Sequence, residues 1–279
     1  MSSPSAALAQ HVTSADGTRI GYWTSGDGPP LVMVHGAMAD HTTMALVVSL
    51  LEPHFTVYAL DRRGRGASDD APTHVIEREF DDVAAVVDAI AERTGAPVSL
   101  YGHSYGATCA LGAALRTGNI HRLALYEPAF RGVFTYATGF LDRVAALVAA
   151  GQAEAAVELA FRVRVGLSSA QIEALRALPS WAARVGAAAA IPRELAVDAT
   201  LAFDGPRYAT VTTPTMLLVG ERSPVGQRSI IEAIDAALPD SRIVALPGQE
   251  HMAQASAPEL VATALIRFMT GPRAAPESS

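Results

Sequence analysis

Short, unbroken apolar runs recur along the chain at LVMVH (31–35), FTVYAL (55–60), VSLYG (98–102), RLALY (122–126), TMLLVG (215–220) and RIVAL (242–246). Runs of this length, bounded by turn residues, predict strands buried on both faces, as in a parallel sheet. Two earlier segments, 10–14 and 18–24, flank Asp16-Gly17 and predict an antiparallel hairpin. Between the runs the spacing becomes helical. Residues 78–94 set Phe80, Val83, Val86, Val87 and Ile90 on one face, and helices are expected near 225–237 and 258–270, the last opening at Pro258. Strands alternating with amphipathic helices predict an α/β fold, here a mostly parallel eight-stranded sheet covered by helices on both faces.

One interval breaks the alternation. Residues 129–210 hold no strand pattern, only Ala-rich helical segments at 140–150, 152–165, 169–178 and 180–190. An insertion of this kind between two sheet strands predicts an all-helical cap (129–210) on a core made of 1–128 and 211–279. Its Leu, Val and Phe residues are expected to form the cap's own core. Trp181 is a candidate ligand contact, though a buried packing role is the simpler expectation.

Composition narrows the chemistry. Half the residues are hydrophobic, enough for a sizeable core. A formal net charge of −7 argues against nucleic acid or an anionic membrane as partner. The chain has no Lys, which excludes Schiff-base catalysis and lysine-anchored pyridoxal phosphate. Cys109 is the single cysteine, so no internal disulfide or multi-cysteine metal site is expected. The N-terminal MSSPSAALAQ lacks the pattern of a signal peptide, no run reaches membrane-span length, and a cytoplasmic location is expected. The tail GPRAAPESS is expected to fray.

The strongest chemical signal is Gly102-His103-Ser104-Tyr105-Gly106, which follows a strand run and precedes the small-residue helix ATCALGAAL. A serine on a sharp strand-to-helix turn is exposed for attack. The flanking glycines let the turn pack closely, and the helix N-terminus favours developing negative charge. Serine is a weak nucleophile without a base. His251, in Leu246-Pro247-Gly248-Gln249-Glu250-His251 just after the last strand run, stands where the α/β-hydrolase family, which this elbow resembles, places its catalytic histidine, and His11, His41, His54, His74 and His121 fit that role worse. The histidines lack H-x-x-x-H spacing and no dinucleotide or P-loop pattern occurs, so neither metal nor cofactor is expected.

These motifs resemble the α/β-hydrolase family, in its serine-nucleophile branch, and the likeness covers nearly the whole chain. His35-Gly36-Ala37 resembles the family's HG oxyanion loop, which implies an oxyanion held by the backbone amides of Ala37 and Tyr105, with His35 tying down the loop. Asp61-Arg62-Arg63-Gly64-Arg65-Gly66-Ala67-Ser68 resembles the family's D-x-R-G-x-G-x-S turn, where the Arg pair is expected to stabilise the turn rather than bind an anion. The family most often supplies its acid three residues past the glycine of the TMLLVG strand, but Ser223 stands there. Glu127 after RLALY, where some dehalogenases and zearalenone-lactonase-like members carry their acid, is preferred over Glu221. Glu250 replaces the usual Gly before the histidine. Related dehalogenases and epoxide hydrolases use Asp where Ser104 stands. The resemblance implies an acyl-enzyme hydrolase of an ester or lactone, with C–C bond hydrolase or thioesterase as alternatives on the same machinery, and the cap's apolar composition suggests an apolar pocket and a hydrophobic small molecule as substrate. The missing acid at Ser223 also keeps open a non-catalytic small-molecule binding protein.

Overall fold

The computed structural model describes residues 8–134 and 136–272, so the expectations for the N-terminal segment and the tail fall largely outside the described residues. Its eight strands form one sheet: β1 (Gln10–Thr13), β2 (Arg19–Ser25), β3 (Pro30–Val34), β4 (Thr56–Leu60), β5 (Val98–His103), β6 (Ile120–Tyr126), β7 (Thr215–Gly220) and β8 (Ser241–Leu246). Their spatial order is β1-β2-β4-β3-β5-β6-β7-β8. β1 pairs with β2 and β2 with β4 antiparallel, while every pairing from β4 to β8 is parallel. The C-terminal ends of β3, β5, β6, β7 and β8 therefore lie in a row along one edge, where open α/β sheets gather their ligands.

Side-chain alternation splits the core into two layers. Val32, Val34, Leu100, Leu123 and Leu125 face one side with the buried faces of α2 (Ile76–Thr94), α3 (Tyr105–Ala113) and α10 (Val225–Ala237). Leu31, Met33, Tyr101, Ala124 and Tyr126 face the other with α1 (Ala45–Leu51) and α12 (Pro258–Thr270). Phe80, Val83, Val86, Val87 and Ile90 of α2 are all buried, as their helical spacing requires. The chain has no apolar pattern that separated α1 from a strand, and it was not anticipated. Among the described residues no helix is long and apolar enough to cross a membrane.

Between β6 and β7 run α4 (Phe140–Ala149), α5 (Ala153–Ala160), α6 (Ser169–Arg176), α7 (Trp181–Gly186), α8 (Ile191–Thr200) and the short α9 (Gly205–Tyr208). Another short helix, α11 (Ala253–Ser256), follows β8. The helix expected over 152–165 widens into a π turn at Phe161–Val165. That expected over 180–190 stops at Gly186, a weak helix former, and tightens into a 3-10 turn before Pro192 starts α8. Phe140, Val157, Phe161, Ile172, Trp181 and Ile191 form a third apolar cluster, which also takes in Met38 from the core. Trp181 packs inside it, stacked on Phe161 with its indole N–H donating to Glu154 Oε1 at 3.0 Å.

Candidate active site

The turn between β5 and α3 holds Ser104 at φ 55° and ψ −124°, a conformation that side-chain-bearing residues rarely adopt. Close packing enforces it. A Cβ on Gly102 would meet Gly106 O at 2.5 Å, and one on Gly106 would run into the carbonyls of His35 and Val34. Ser104 N–H donates to Tyr126 O at 2.8 Å, which fixes the turn to the end of β6. Tyr105 opens α3, so its amide is among those with no partner inside the helix.

The end of β8 brings His251 to this turn. Its Nε2 lies 2.9 Å from Ser104 Oγ, and its Nδ1 lies 2.6 Å from Glu127 Oε2. Glu127 follows β6 at φ 48° and is wholly buried. Its second oxygen accepts from Gly220 N–H at 2.8 Å and from the Ser223 hydroxyl at 2.5 Å. The residue at the family's usual acid position thus donates a hydrogen bond to the carboxylate that reaches the histidine. Glu221 stays away from His251, exposed, and accepts from Gly248 N–H at 2.6 Å. Glu250 contributes its carbonyl, which accepts from the Tyr126 hydroxyl.

Two histidines flank the constellation without joining it. His35 Nδ1–H donates to Gly36 O at 2.8 Å and its Nε2 accepts from Arg62 N–H at 3.1 Å. Burial, then Arg62 and Arg65, push its pKa down to about 3, so it stays neutral. His103 accepts from the Gln254 amide and donates to His251 O at 2.9 Å, which anchors the loop carrying His251. Burial and the neighbouring His251 hold His103 well below the ordinary range.

The loop after β3 is clamped from the inserted helices. Met38, at φ 52°, donates its N–H to Glu194 Oε2 of α8 at 3.1 Å and accepts at its carbonyl from Arg184 of α7 at 3.1 Å. Glu194 in turn binds Arg65 and Arg62. Both members of the Arg62–Arg63 pair serve the fold: Arg62 forks onto Glu79, and Arg63 binds Asp82 and Asp16.

A narrow cavity of about 20 Å³ opens over Ser104 and His251. Ala37, Met38, Met44, Phe161, Val165 and Met252 line it with apolar surface, but so do Arg164 and Arg184, which the sequence reading did not single out. The apolar pocket expected from the insertion's composition is therefore mixed. Among the described residues one group, Asp40, His41 and Asp61, has metal-ligand atoms within 4.8 Å of one another. Asp61 there is already committed, accepting from His41, Trp23 and Ala67.

Residues 31–264 match the model of the alpha/beta hydrolase family. The chain is similar to an alpha/beta hydrolase from Sphaerobacter thermophilus of known structure, at 34% identity and a TM-score of 0.80, over 94% of this chain and 100% of that one. It is 26% identical to the 2-(acetamidomethylene)succinate hydrolase of Mesorhizobium japonicum, over 88% of this chain and 89% of the relative. It is 28% identical to a pimeloyl-[acyl-carrier protein] methyl ester esterase of Xanthomonas campestris, over 88% and 96% respectively.

Proposed function

The chain belongs to the alpha/beta hydrolase family, and from that premise we propose that it is a serine hydrolase that cleaves an ester or lactone of a small, partly apolar molecule. The observation that carries this reading is the continuous relay from Ser104 Oγ through His251 to Glu127, at 2.9 and 2.6 Å. His251 Nε2 takes the Ser104 proton as Oγ bonds to the carbonyl carbon. The oxyanion takes hydrogen bonds from the Ala37 and Tyr105 amides. The tetrahedral intermediate collapses, the C–O bond to the alcohol breaks, and His251 Nε2–H protonates the leaving oxygen. Water then adds to the acyl-enzyme, gives its proton to His251, and releases the acid with Ser104 restored. Glu127 holds His251 in the tautomer with Nδ1–H and offsets the imidazolium charge.

Residues 129–210 act in this reading as a cap over the site, which their contribution of Phe161, Arg164, Val165 and Arg184 to the cavity supports. The same machinery serves thioesters or C–C bonds, since fold and triad do not fix the scissile bond. The test is turnover of a panel of esters, lactones and thioesters by the native chain and by Ser104→Ala. A loss of several orders of magnitude in the folded variant is expected. Near-full activity in Ser104→Ala would overturn the serine mechanism, and no turnover of any panel member by the native chain would favour a binding protein.

A further inference from the structure

The wall of the cavity over Ser104 carries a buried cation, Arg184. Arg184 is 3% exposed and makes no salt bridge among the described residues. One guanidinium nitrogen donates to Met38 O at 3.1 Å, and its Nε has no partner. The carboxylate that acts on it electrostatically, Asp40, is already engaged by the Thr42 amide and hydroxyl at 2.9 and 2.6 Å. Burial pushes the Arg184 pKa down to about 10, which leaves a desolvated cation at neutral pH. Holding an unpaired ion out of water is costly, so such a group is ordinarily paired or reserved for a ligand.

Arg164 also lines the cavity, 6% exposed, on the π turn at Phe161–Val165. Its Nε binds Asp198 Oδ2 at 2.5 Å, which balances its charge, but one terminal nitrogen is left without a partner. Its guanidinium lies 4.1 Å from the centre of the Phe134 ring, and that ring meets His251 edge to face at 5.8 Å. Both arginines are close enough to the catalytic end to help push His103 down. A cavity lined by Ser104 and by two guanidinium groups, each with one N–H group that has no partner, matches a carboxylate.

We infer that the substrate carries a carboxylate besides its scissile group, with Arg184 as its anchoring cation and Arg164 as a second donor. The inference rests on the proposed ester-hydrolase reading and narrows it to small anionic esters or lactones, such as monoesters of short dicarboxylic acids. The apolar lining then covers the few carbons between the two groups.

The experiment compares kcat/KM at neutral pH for monomethyl succinate, glutarate and adipate, and for the O-acetyl esters of short hydroxy acids, with their uncharged counterparts of equal length. At least one anionic ester should exceed its neutral partner by about tenfold or more, mainly through KM. Arg184→Met should abolish that ratio and Arg184→Lys should restore part of it. A purely structural Arg184, holding the Met38 carbonyl, would lower both classes alike and keep the ratio. Neutral esters turned over as well as every anionic one by the native chain, or a ratio that survives Arg184→Met, would overturn the inference. Failure of all esters of both classes would instead overturn the hydrolase reading. Calorimetry with succinate, glutarate and adipate on Ser104→Ala then still decides the anion site: binding lost in the Ser104→Ala/Arg184→Met chain supports it, and no binding overturns it.

Discussion

Replacing Glu127 by Gln tests the relay at its least conventional member. The side chain keeps its shape, but one oxygen becomes an NH2. Gly220 N–H is a fixed donor, 2.8 Å from Oε1, so the amide oxygen must face it, whereas the Ser223 hydroxyl can rotate. The NH2 group is then aimed at His251 Nδ1, where Oε2 now sits at 2.6 Å. Nδ1 must accept, Nε2 carries the proton, and the ring can no longer receive one from Ser104. The imidazolium also loses its buried counter-charge. In serine proteases the equivalent change of tautomer lowers kcat about 10⁴-fold, and a loss of about 10³ to 10⁴ is expected here, about 4 to 5.5 kcal/mol in the barrier. Initial rates on a p-nitrophenyl ester, with circular dichroism to confirm folding, measure it. Glu221→Gln is the control: that exposed carboxylate only meets Gly248 N–H, and its loss should cost less than about threefold. A folded Glu127→Gln chain within about tenfold of native kcat would refute the assignment, and a crippled Glu221→Gln would move the acid to the end of β7.

Three further outcomes are expected. Ser223→Ala removes one donor to Glu127 while Gly220 N–H remains, so kcat/KM should fall by about three- to tenfold and stability by about 1 kcal/mol, read by kinetics and urea melts. Gly102→Ala places a methyl against Gly106 O and the Ala107 backbone, and should unfold or inactivate the protein, whereas Gly118→Ala, with nothing near its Cβ, should leave melting temperature and activity unchanged. Acid should destabilise in a defined window. His35, at about 3 when folded against 6.5 unfolded, and Glu194, at about 2 against 4.5, both bind fewer protons in the folded chain. Burial alone would raise Glu194, but Arg65 and Arg62 outweigh it. Stability from both is complete above about pH 6.5 and is lost as pH falls, first from His35 and then below 4.5 from Glu194. Melting temperatures from pH 7 to pH 4 should decline, and a flat profile would contradict this.

The sheet was legible because its strands are buried on both faces and so read as continuous apolar runs, from Leu31 to Val34 and from Met216 to Val219. The elbow was legible because its requirements are local: two glycines and a strand-to-helix turn around Ser104. Glu127 required a longer step, from the absence of an acid at Ser223 to a carboxylate one strand away, and the hydroxyl's donation to Glu127 appears only in three dimensions. The helix α8 was missed although Pro192 marks its start. Arg164 and Arg184 were invisible for a deeper reason. In sequence they are indistinguishable from the exposed Arg162 and the half-buried Arg176 of the same Ala-rich stretch, and only the docking of these helices on the core buries the one pair and leaves the other in contact with solvent. Composition therefore reported the apolar part of the cavity and not its charge.

The central claim is that Ser104 is a nucleophile activated by His251. Treating the protein with a fluorophosphonate and weighing it intact, followed by peptide mapping, tests this without knowledge of the substrate. The account predicts one adduct per chain, located on Ser104, formed rapidly in the native protein, absent from Ser104→Ala and slowed by orders of magnitude in His251→Ala. No adduct in the folded native chain, or an adduct that persists in Ser104→Ala, would contradict it.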